Sequence, residues 1–263
     1  MSSSSKPDWE ATRYLNFASE RTRPASELLA RVPLANPSRI VDLGCGPGNS
    51  TSLIATRYPD AQLLGNDTSE SMLEQARKAL PGVEFEIGDV TTYEPEGQVD
   101  LFFSNAVFQW VNEEDRIPSI LRLLSFQPEG GVFAFQVPDN FNEPSHIAMR
   151  EIASSGPFSP IFGKDVMGNR QFHSPFELYN ALKPHVKEVD VWHTVYNHRL
   201  EGSEAVVDWL RSTGLRPFLE KLDEKGKEKF LEVYTEKMAE AYPRLVDGGV
   251  LLRFPRLFCV VTK

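Results

Sequence analysis

The sequence feature that most constrains the fold is a glycine-rich turn directly after a short apolar run. It reads Val41-Asp42-Leu43-Gly44-Cys45-Gly46-Pro47-Gly48-Asn49-Ser50. Glycine has no Cβ, so it adopts left-handed backbone angles and lets a ligand approach the main chain closely. A helix that starts after this turn presents unpaired N–H groups at its first residues. The segment therefore predicts a buried strand, a ligand-binding turn and a helix in succession.

Three later apolar runs also end in polar side chains. Residues 61–66 are followed by Asp67, residues 83–88 by Asp89, and residues 99–104 by Asn105. Ligands in open α/β sheets bind beyond the carboxyl ends of the strands. Asp67 follows the turn by about 20 residues, the spacing at which an acidic side chain accepts hydrogen bonds from ribose hydroxyls. These strand ends together predict a site for a nucleoside cofactor.

Each carboxylate also has a purely structural interpretation. Asp67 could cap a helix that is predicted over residues 70–80. Asp89 precedes the turn-like pair Thr91-Thr92 and could stabilise that turn. Asp42 is expected to lie below the glycine-rich turn and to accept hydrogen bonds from its amides. The common spacing of the turn, Asp67 and Asp89 favours the cofactor interpretation.

The alternation of apolar runs with helical patterns predicts an α/β fold, with a doubly wound and mainly parallel sheet of seven strands. The last three strands are predicted at residues 132–137, 186–195 and 257–261. Other helices are predicted at residues 50–58, 116–124 and 146–153, and residues 26–31 are predicted to complete an entry helix. We expect a single domain, in which a lid segment (1–33) precedes a cofactor-binding core (34–138) and a substrate-side half (139–263) with a helical cap (201–242).

Composition excludes several classes of function. The net charge of −9 argues against a broad surface for nucleic acid or anionic membrane. No run is long and apolar enough to span a membrane, and the amino terminus does not resemble a signal peptide, so a soluble cytoplasmic protein is predicted. The chain has two cysteines, Cys45 and Cys259, for which no disulfide is expected. Cys45 could act as a nucleophile, although packing is the better interpretation, and no metal is expected.

Arginines cluster towards both ends of this acidic chain. Arg13, Arg21 and Arg23 precede the glycine-rich turn, whereas Arg253 and Arg256 flank Phe254-Pro255. An arginine is usually a solvated surface residue. As a group, these side chains could instead form a local site for an anion.

The sequence resembles the trans-aconitate methyltransferases, a branch of the class I S-adenosylmethionine-dependent methyltransferases, along nearly its whole length. The stretches that carry the resemblance are residues 14–33, 42–52, 105–110, 137–140, 143–146, 208–209, 213–217 and 254–258. Asn66 departs from the pattern because an apolar residue is more usual there. The segment near the amino terminus and the terminal Phe-Pro-Arg are the most discriminating.

The resemblance implies methyl transfer from S-adenosylmethionine to a carboxylate of trans-aconitate. A carboxyl group is almost wholly ionised at pH 7, so its oxygen needs no general base to act as a nucleophile. We expect the cofactor to be bound by Asp42, Gly44, Gly46, Gly48, Asn49, Asp67, Asp89, Val90 and Asn105. Arginine forks suit the remaining carboxylates. We expect the substrate to be bound by Arg21, Arg23, Gln109, Trp110, Asn140, His146 and Arg256.

Three alternatives stay open at this point. His146 could act as a general base, although the reaction has little use for one. The same scaffold could methylate another small acid or a phenol. A protein of a different class could bind S-adenosylmethionine without turnover and act as a regulator.

Overall fold

The computed structural model describes residues 18–163, 171–211 and 213–263. The chain divides into two compact units. Among the described residues, the sheet unit comprises 22–139, 171–194 and 255–263, and the helical unit comprises 18–21, 140–163, 195–211 and 213–254. The single-domain organisation stays a prediction. The described residues of the predicted cap at 201–242 fall in the helical unit.

A single sheet of seven strands organises the sheet unit, in the order β3-β2-β1-β4-β5-β7-β6. The strands are β1 (Arg39–Leu43), β2 (Gln62–Asp67), β3 (Glu84–Ile87), β4 (Leu101–Asn105), β5 (Val132–Pro138), β6 (Glu188–Leu200) and β7 (Val250–Thr262). The first five strands pair in parallel, and β7 runs antiparallel to β5. The predicted fold class is therefore confirmed.

Ten α-helices are described along the chain. They are α1 (Ala18–Ala30), α2 (Asn49–Arg57), α3 (Glu70–Ala79), α4 (Glu113–Ser125), α5 (Pro144–Ala153), α6 (Ser159–Phe162), α7 (Pro175–Leu182), α8 (Ser203–Arg211), α9 (Arg216–Leu219) and α10 (Glu224–Ala241). Short 3-10 helices lie at Phe108–Trp110, Gly156–Phe158 and Lys183–His185. None of the helices in the described ranges is long and apolar enough to cross a membrane.

The strand order reverses direction beside β1, and this reversal places the site. From β1 the chain moves through β2 to β3 on one side, and then crosses to β4 and β5 on the other side. The parallel crossovers are expected to be right-handed, so α2 and α3 cover one face of the sheet and α4 covers the opposite face. The carboxyl ends of β1 and β4 are adjacent at this switch point, where open α/β sheets bind ligands.

Each unit has an aromatic core. In the sheet unit, the ring of Phe108 packs against Phe133 and Phe135 with centroid distances of 5.9 and 5.6 Å. In the helical unit, Phe230 packs against Phe158 at 5.2 Å and against Phe218 at 5.8 Å. Such pairs contribute about 0.5–1.5 kcal/mol each beyond the burial of their area.

Several elements differ from the prediction in extent or were missed. Helix α1 extends from Ala18 to Ala30, so the predicted residues 26–31 correspond to its last part. Strands β6 and β7 each have 13 residues, because residues 196–200 in β6 and 250–254 in β7 keep the alternation of buried and exposed side chains on which a strand depends. Helix α7 was not predicted, although the sequence carries its capping box. Ser174 and Glu177 exchange the two hydrogen bonds of that motif.

Candidate active site

The glycine-rich turn lies between β1 and α2 in a left-handed conformation. The φ angles of Gly44 and Gly46 are 66° and 54°. A Cβ added to Gly44 would lie 2.3 Å from Cγ2 of Val107, so this glycine allows the turn to pack against the residues after β4. A Cβ added to Gly46 would have no atom within 4 Å. Gly46 therefore faces an open space that a side chain would fill, as a cradle for a ligand requires.

The end of β2 holds the amides of the turn. The side-chain oxygen of Asn66 accepts a hydrogen bond from the Gly44 N–H at 3.2 Å. The backbone carbonyl of Asn66 accepts one from the Cys45 N–H at 2.8 Å. Oδ2 of Asp67 accepts a hydrogen bond from Gly46 at 2.9 Å. Asn66 is only 1% exposed. Its departure from the family pattern thus has a structural role that the sequence analysis missed, although a polar residue at a buried strand end is a signal for one.

Asp67 is not the capping residue of α3. The N-cap is Ser69, whose backbone N–H donates to Oδ1 of Asp67 at 2.9 Å. Each carboxylate oxygen of Asp67 therefore accepts one backbone amide, and each oxygen can accept a further hydrogen bond. The side chain is half-buried at the end of its strand. This arrangement leaves it able to accept ribose hydroxyls, which stays a prediction.

Asp42 does not accept hydrogen bonds from the amides of the turn as predicted. Its Oδ2 accepts instead from the hydroxyls of Ser50 at 2.8 Å and Thr51 at 2.7 Å, both in the first turn of α2. The carboxylate is fully buried below the start of α2, where these two hydroxyls lie within hydrogen-bond distance. Burial raises the pKa of Asp42 to about 7, although both hydroxyls act in the opposite direction. Asp42 therefore fastens α2 to β1, while Asn49, the first residue of α2, is exposed.

Asp89 stabilises the turn at Thr91-Thr92, as its structural interpretation predicts. Its Oδ1 accepts hydrogen bonds from the backbone N–H of Thr91 at 2.8 Å and from the hydroxyl of that residue at 2.7 Å. The next residue, Val90, is buried, and its carbonyl accepts a hydrogen bond from Arg122 at 2.8 Å. The segment after β3 is thus held in place. Contact of Asp89 and Val90 with a cofactor stays a prediction.

The end of β4 carries backbone strain. Ala106 has a φ of 61°, the one positive value among the non-glycine residues that the structure describes. Left-handed backbone costs an alanine about 1–2 kcal/mol. Its N–H donates to the Gln136 carbonyl at 2.9 Å, and its carbonyl accepts from Nε2 of Gln109 at 2.6 Å. The side-chain oxygen of the same amide, Oε1 of Gln109, is buried and has no hydrogen-bond partner within the described ranges.

Comparison with known proteins identifies the family. A family profile described as "Methyltransferase domain" matches residues 40–130. The chain is 50% identical over 258 residues to a trans-aconitate 2-methyltransferase of Methylobacterium nodulans, which covers 97% of this chain and 98% of the relative. It is 47% identical over 256 residues to the protein of the same name from Afipia carboxidovorans, with 97% and 99% covered. The chain belongs to the trans-aconitate 2-methyltransferase family.

Solved structures share the fold at low sequence identity. The YcgJ protein of Bacillus subtilis aligns with a TM-score of 0.55 and 11% identity over 92% of this chain and 99% of that protein. A geranyl diphosphate methyltransferase, solved in complex with S-adenosylmethionine, aligns with a TM-score of 0.50 and 16% identity over 98% and 92%. At such identities the likeness concerns the fold alone.

The protein is an S-adenosylmethionine-dependent methyltransferase, and the carboxyl end of the sheet fits this cofactor. Gly46 leaves an open cradle, and the first-turn amides of α2 lie beside it. The carboxylate of Asp67 offers hydrogen-bond acceptors at the same end of the sheet. Burial raises the pKa of the Cys45 thiol, with the charges of Asp42 and Asp67 adding to the effect, so a thiolate nucleophile at this position is disfavoured.

The arginines clustered towards both ends of the sequence, of which Arg21, Arg23 and Arg256 were predicted to bind the substrate, have different surroundings. The exposed Arg23 donates to Glu27 at 2.7 Å on α1. Arg256 is only 5% exposed, and its Nη1 donates to Oε1 of Gln136 at 3.1 Å. Arg253 pairs with Glu143 in the helical unit. Arg13 and the side chain of Arg21 lie outside the described residues.

The remaining predicted substrate residues are distributed over both units. Gln109 and the half-exposed Trp110 belong to the sheet unit, whereas Asn140 and His146 belong to the helical unit. The Asn140 carbonyl accepts a hydrogen bond from the Glu143 N–H at 3.0 Å, just before α5. Contact of these four residues with a substrate stays a prediction.

His146 is held as a neutral imidazole. Its Nδ1 lies 3.1 Å from the Ser145 hydroxyl, and its Nε2 packs so closely on Gly214 that an added Cβ there would lie 2.9 Å away. Burial lowers the pKa of His146 to about 3, and the charge of Arg150 acts in the same direction. A group with so low a pKa is a weak base at neutral pH. The surroundings of His146 therefore disfavour its role as a general base.

Proposed function

We propose that this protein methylates a carboxylate of trans-aconitate, or of a closely related small polycarboxylate, to a monomethyl ester. The observation that carries the proposal is identity of 46–50% along 97% of the chain to proteins named trans-aconitate 2-methyltransferase. That shared name points to the ester at position 2. The low pKa of His146 supports the same chemistry, because so weak a base would contribute little and an ionised carboxylate needs no proton removed before it reacts.

S-adenosylmethionine supplies an electrophilic methyl group, and the residues of this chain supply alignment. Orientation of two reactants is worth up to about 7–11 kcal/mol in favourable systems. The backbone held by Asn66 and Asp67 would fix the cofactor side of the site. Arg21, Arg23 and Arg256 are proposed to bind the carboxylates that do not react, and each charge-assisted hydrogen bond would contribute about 1.5–3 kcal/mol. Gln109, Trp110, Asn140 and His146 are proposed to shape the pocket.

A panel of acceptors tests the proposal. The purified protein would be mixed with methyl-labelled S-adenosylmethionine and with trans-aconitate, citrate, a monocarboxylate or a phenol. We expect a base-labile methyl ester with trans-aconitate, and at least about tenfold lower kcat/KM with the monocarboxylate, because fewer charged groups are paired. A labelled phenol ether without ester would overturn the proposal, as would cofactor binding with no turnover of any acid. Location in the cytoplasm stays a prediction from the sequence.

A further inference from the structure

Three buried or half-buried side chains form a polar row at the carboxyl ends of β4 and β5, where the antiparallel β7 places Arg256 beside the end of β5. Nη1 of Arg256 on β7 donates to Oε1 of Gln136 on β5 at 3.1 Å. Nε2 of Gln136 donates to Oδ1 of Asn105 on β4 at 2.5 Å. The register places Gln136 directly opposite Asn105 on the neighbouring parallel strand. Gln136 is fully buried, so both ends of its amide depend on these two neighbours.

The guanidinium at one end fixes the orientation of both amides. Arginine has only donors, so the group that faces Arg256 must be the carbonyl oxygen of Gln136. The NH2 group of Gln136 then faces Asn105, and a donor there requires the carbonyl oxygen of Asn105. As a result, the NH2 group of Asn105 points away from Gln136.

Asn105 stands where that outward NH2 group can meet a ligand. It is half-buried at the last residue of β4, next to the strained Ala106. Val107 packs on Gly44, so the same segment lies beside the glycine-rich turn. An amide NH2 group in this place is a donor without charge, and carboxylate oxygens are strong acceptors.

We propose that Arg256, in addition to the substrate contact proposed above, acts with Gln136 to hold the Asn105 NH2 group towards a carboxylate of the bound ligands; Gln136 is in this respect a positioning residue. This inference rests on the proposed function for the substrate carboxylates. S-adenosylmethionine carries a carboxylate as well, in its methionine part. Binding measurements on the two ligands separate these sources.

The sharpest test is Gln136→Glu, which replaces the NH2 group by an oxygen of nearly the same size. The introduced carboxylate would still accept from Arg256, now as an ion pair, but it cannot donate to Asn105. Asn105 would then turn its NH2 group inward and present its carbonyl oxygen to the ligand carboxylate. We expect at least about tenfold weaker ligand binding, since a donor is replaced by a repelling acceptor.

Two readouts assign the source of the carboxylate. A tenfold rise in the Kd of S-adenosylhomocysteine, measured by calorimetry, would place the cofactor's carboxylate on Asn105. A tenfold rise in KM for the acid that the wild type methylates, at saturating cofactor, would place the substrate's carboxylate there. Both constants within twofold of the wild type would overturn the inference. If trans-aconitate were not a substrate, the proposed function would be overturned, but the inference would still be tested. The Kd of S-adenosylhomocysteine and the KM for whichever acid of the panel the wild type methylates would both still report on Asn105.

Gln127→Glu is the matched control. Gln127 is also buried, and its Nε2 donates to the Val132 carbonyl at 2.6 Å, at the opposite end of β5. The substitution should lower Tm and leave the affinity of the folded protein for S-adenosylhomocysteine unchanged. If it weakened binding as much as Gln136→Glu does, the effect of Gln136→Glu would be one of general instability and the inference would fail.

A second variant covers the case in which Gln136→Glu does not fold. Asn105→Asp keeps an oxygen for Gln136 and places another oxygen where the outward NH2 group lies. We expect the same loss of at least about tenfold in binding, and wild-type binding would overturn the inference. Where both single variants fold, Gln136→Glu should have less than a twofold further effect in an Asn105→Ala background, because it acts through Asn105. A further loss of about tenfold in the Asn105→Ala background would show that Gln136 does not act through Asn105, and would overturn the inference.

Discussion

At the scale of single residues, the site depends on how the end of β2 holds the glycine-rich turn. Asn66 and Asp67 together accept three amide hydrogen bonds from consecutive residues of the turn. Groups of the protein itself thus hold the turn in its left-handed conformation, and Gly46 keeps its open face. Such preorganisation reduces the conformational cost of binding.

The substitution Asp67→Ala tests the role of this carboxylate. It should weaken the binding of S-adenosylhomocysteine by about 1.5–3 kcal/mol, or about tenfold to a hundredfold, through lost ribose hydrogen bonds. Isothermal titration calorimetry on the folded variant measures this loss.

Asp100→Ala is the matched control for Asp67→Ala. Asp100 also accepts two backbone amides, from Ser38 at 2.7 Å and Arg39 at 2.9 Å, but at the amino-terminal end of β1. It should lower stability without changing the affinity for S-adenosylhomocysteine. Unchanged affinity in folded Asp67→Ala would reduce Asp67 to a support of the turn.

The residues also show what the sequence could reveal about the site. Spacing identified the turn, Asp67 and Asn105, because strand ends in a parallel sheet lie on one edge. It could not show that Asp42 accepts hydrogen bonds from hydroxyls of α2 rather than from amides of the turn, because only the fold shows which donors reach the buried carboxylate. Nor could it show the row from Arg256 through Gln136 to Asn105, because three separate strands must first be paired.

At the scale of elements, the junction of β1 and α2 contains a fully buried carboxylate. The pKa of Asp42 is about 7 in the native protein, whereas the pKa of the same carboxyl group in the unfolded chain is 3.8. As pH rises from about 4 to 7, the unfolded chain binds fewer protons than the native protein, so this group lowers the free energy of unfolding over that range. Below that range its contribution is fully favourable.

Asp42→Asn should remove this pH dependence. The difference between about 7 and 3.8 corresponds to a free energy on the order of 4 kcal/mol. The variant should therefore gain stability relative to the wild type as pH rises from 4.5 to 8, by up to roughly that amount. Denaturant unfolding of both proteins at several pH values measures the gain. A difference that stays constant over this range would show that Asp42 is ionised in the native protein.

Elements were predictable where the pattern was local and regular. The first five strands coincide with short apolar runs of the sequence, whereas their order in the sheet is known only from the structure. The last two strands extend beyond their apolar runs, because tertiary pairing in the sheet supports charged and proline residues such as Arg253 and Pro255. Helix α7 was missed because its start lies in a stretch rich in proline, glycine and serine.

At the scale of the whole molecule, an acidic methyltransferase acts on an acceptor that we propose to be a polyanion. Its net charge is −9, so general electrostatic attraction does not favour such a substrate. Recognition must then rest on a few local cationic and hydrogen-bonding groups, of which arginine is the most suitable. The catalytic contribution of the protein is alignment of an oxygen that is already ionised.

The pH dependence of turnover tests this account most directly. With trans-aconitate and S-adenosylmethionine both saturating, kcat should change by less than about twofold between about pH 6 and 9, because carboxylates with ordinary pKa values do not titrate there. The measurement is the initial rate of ester formation at each pH, with His146→Ala run in parallel and the fold of both proteins monitored. A flat profile in both proteins is the predicted result. A loss of activity on the acidic side of pH 7 that disappears in His146→Ala would establish a histidine base and contradict the account.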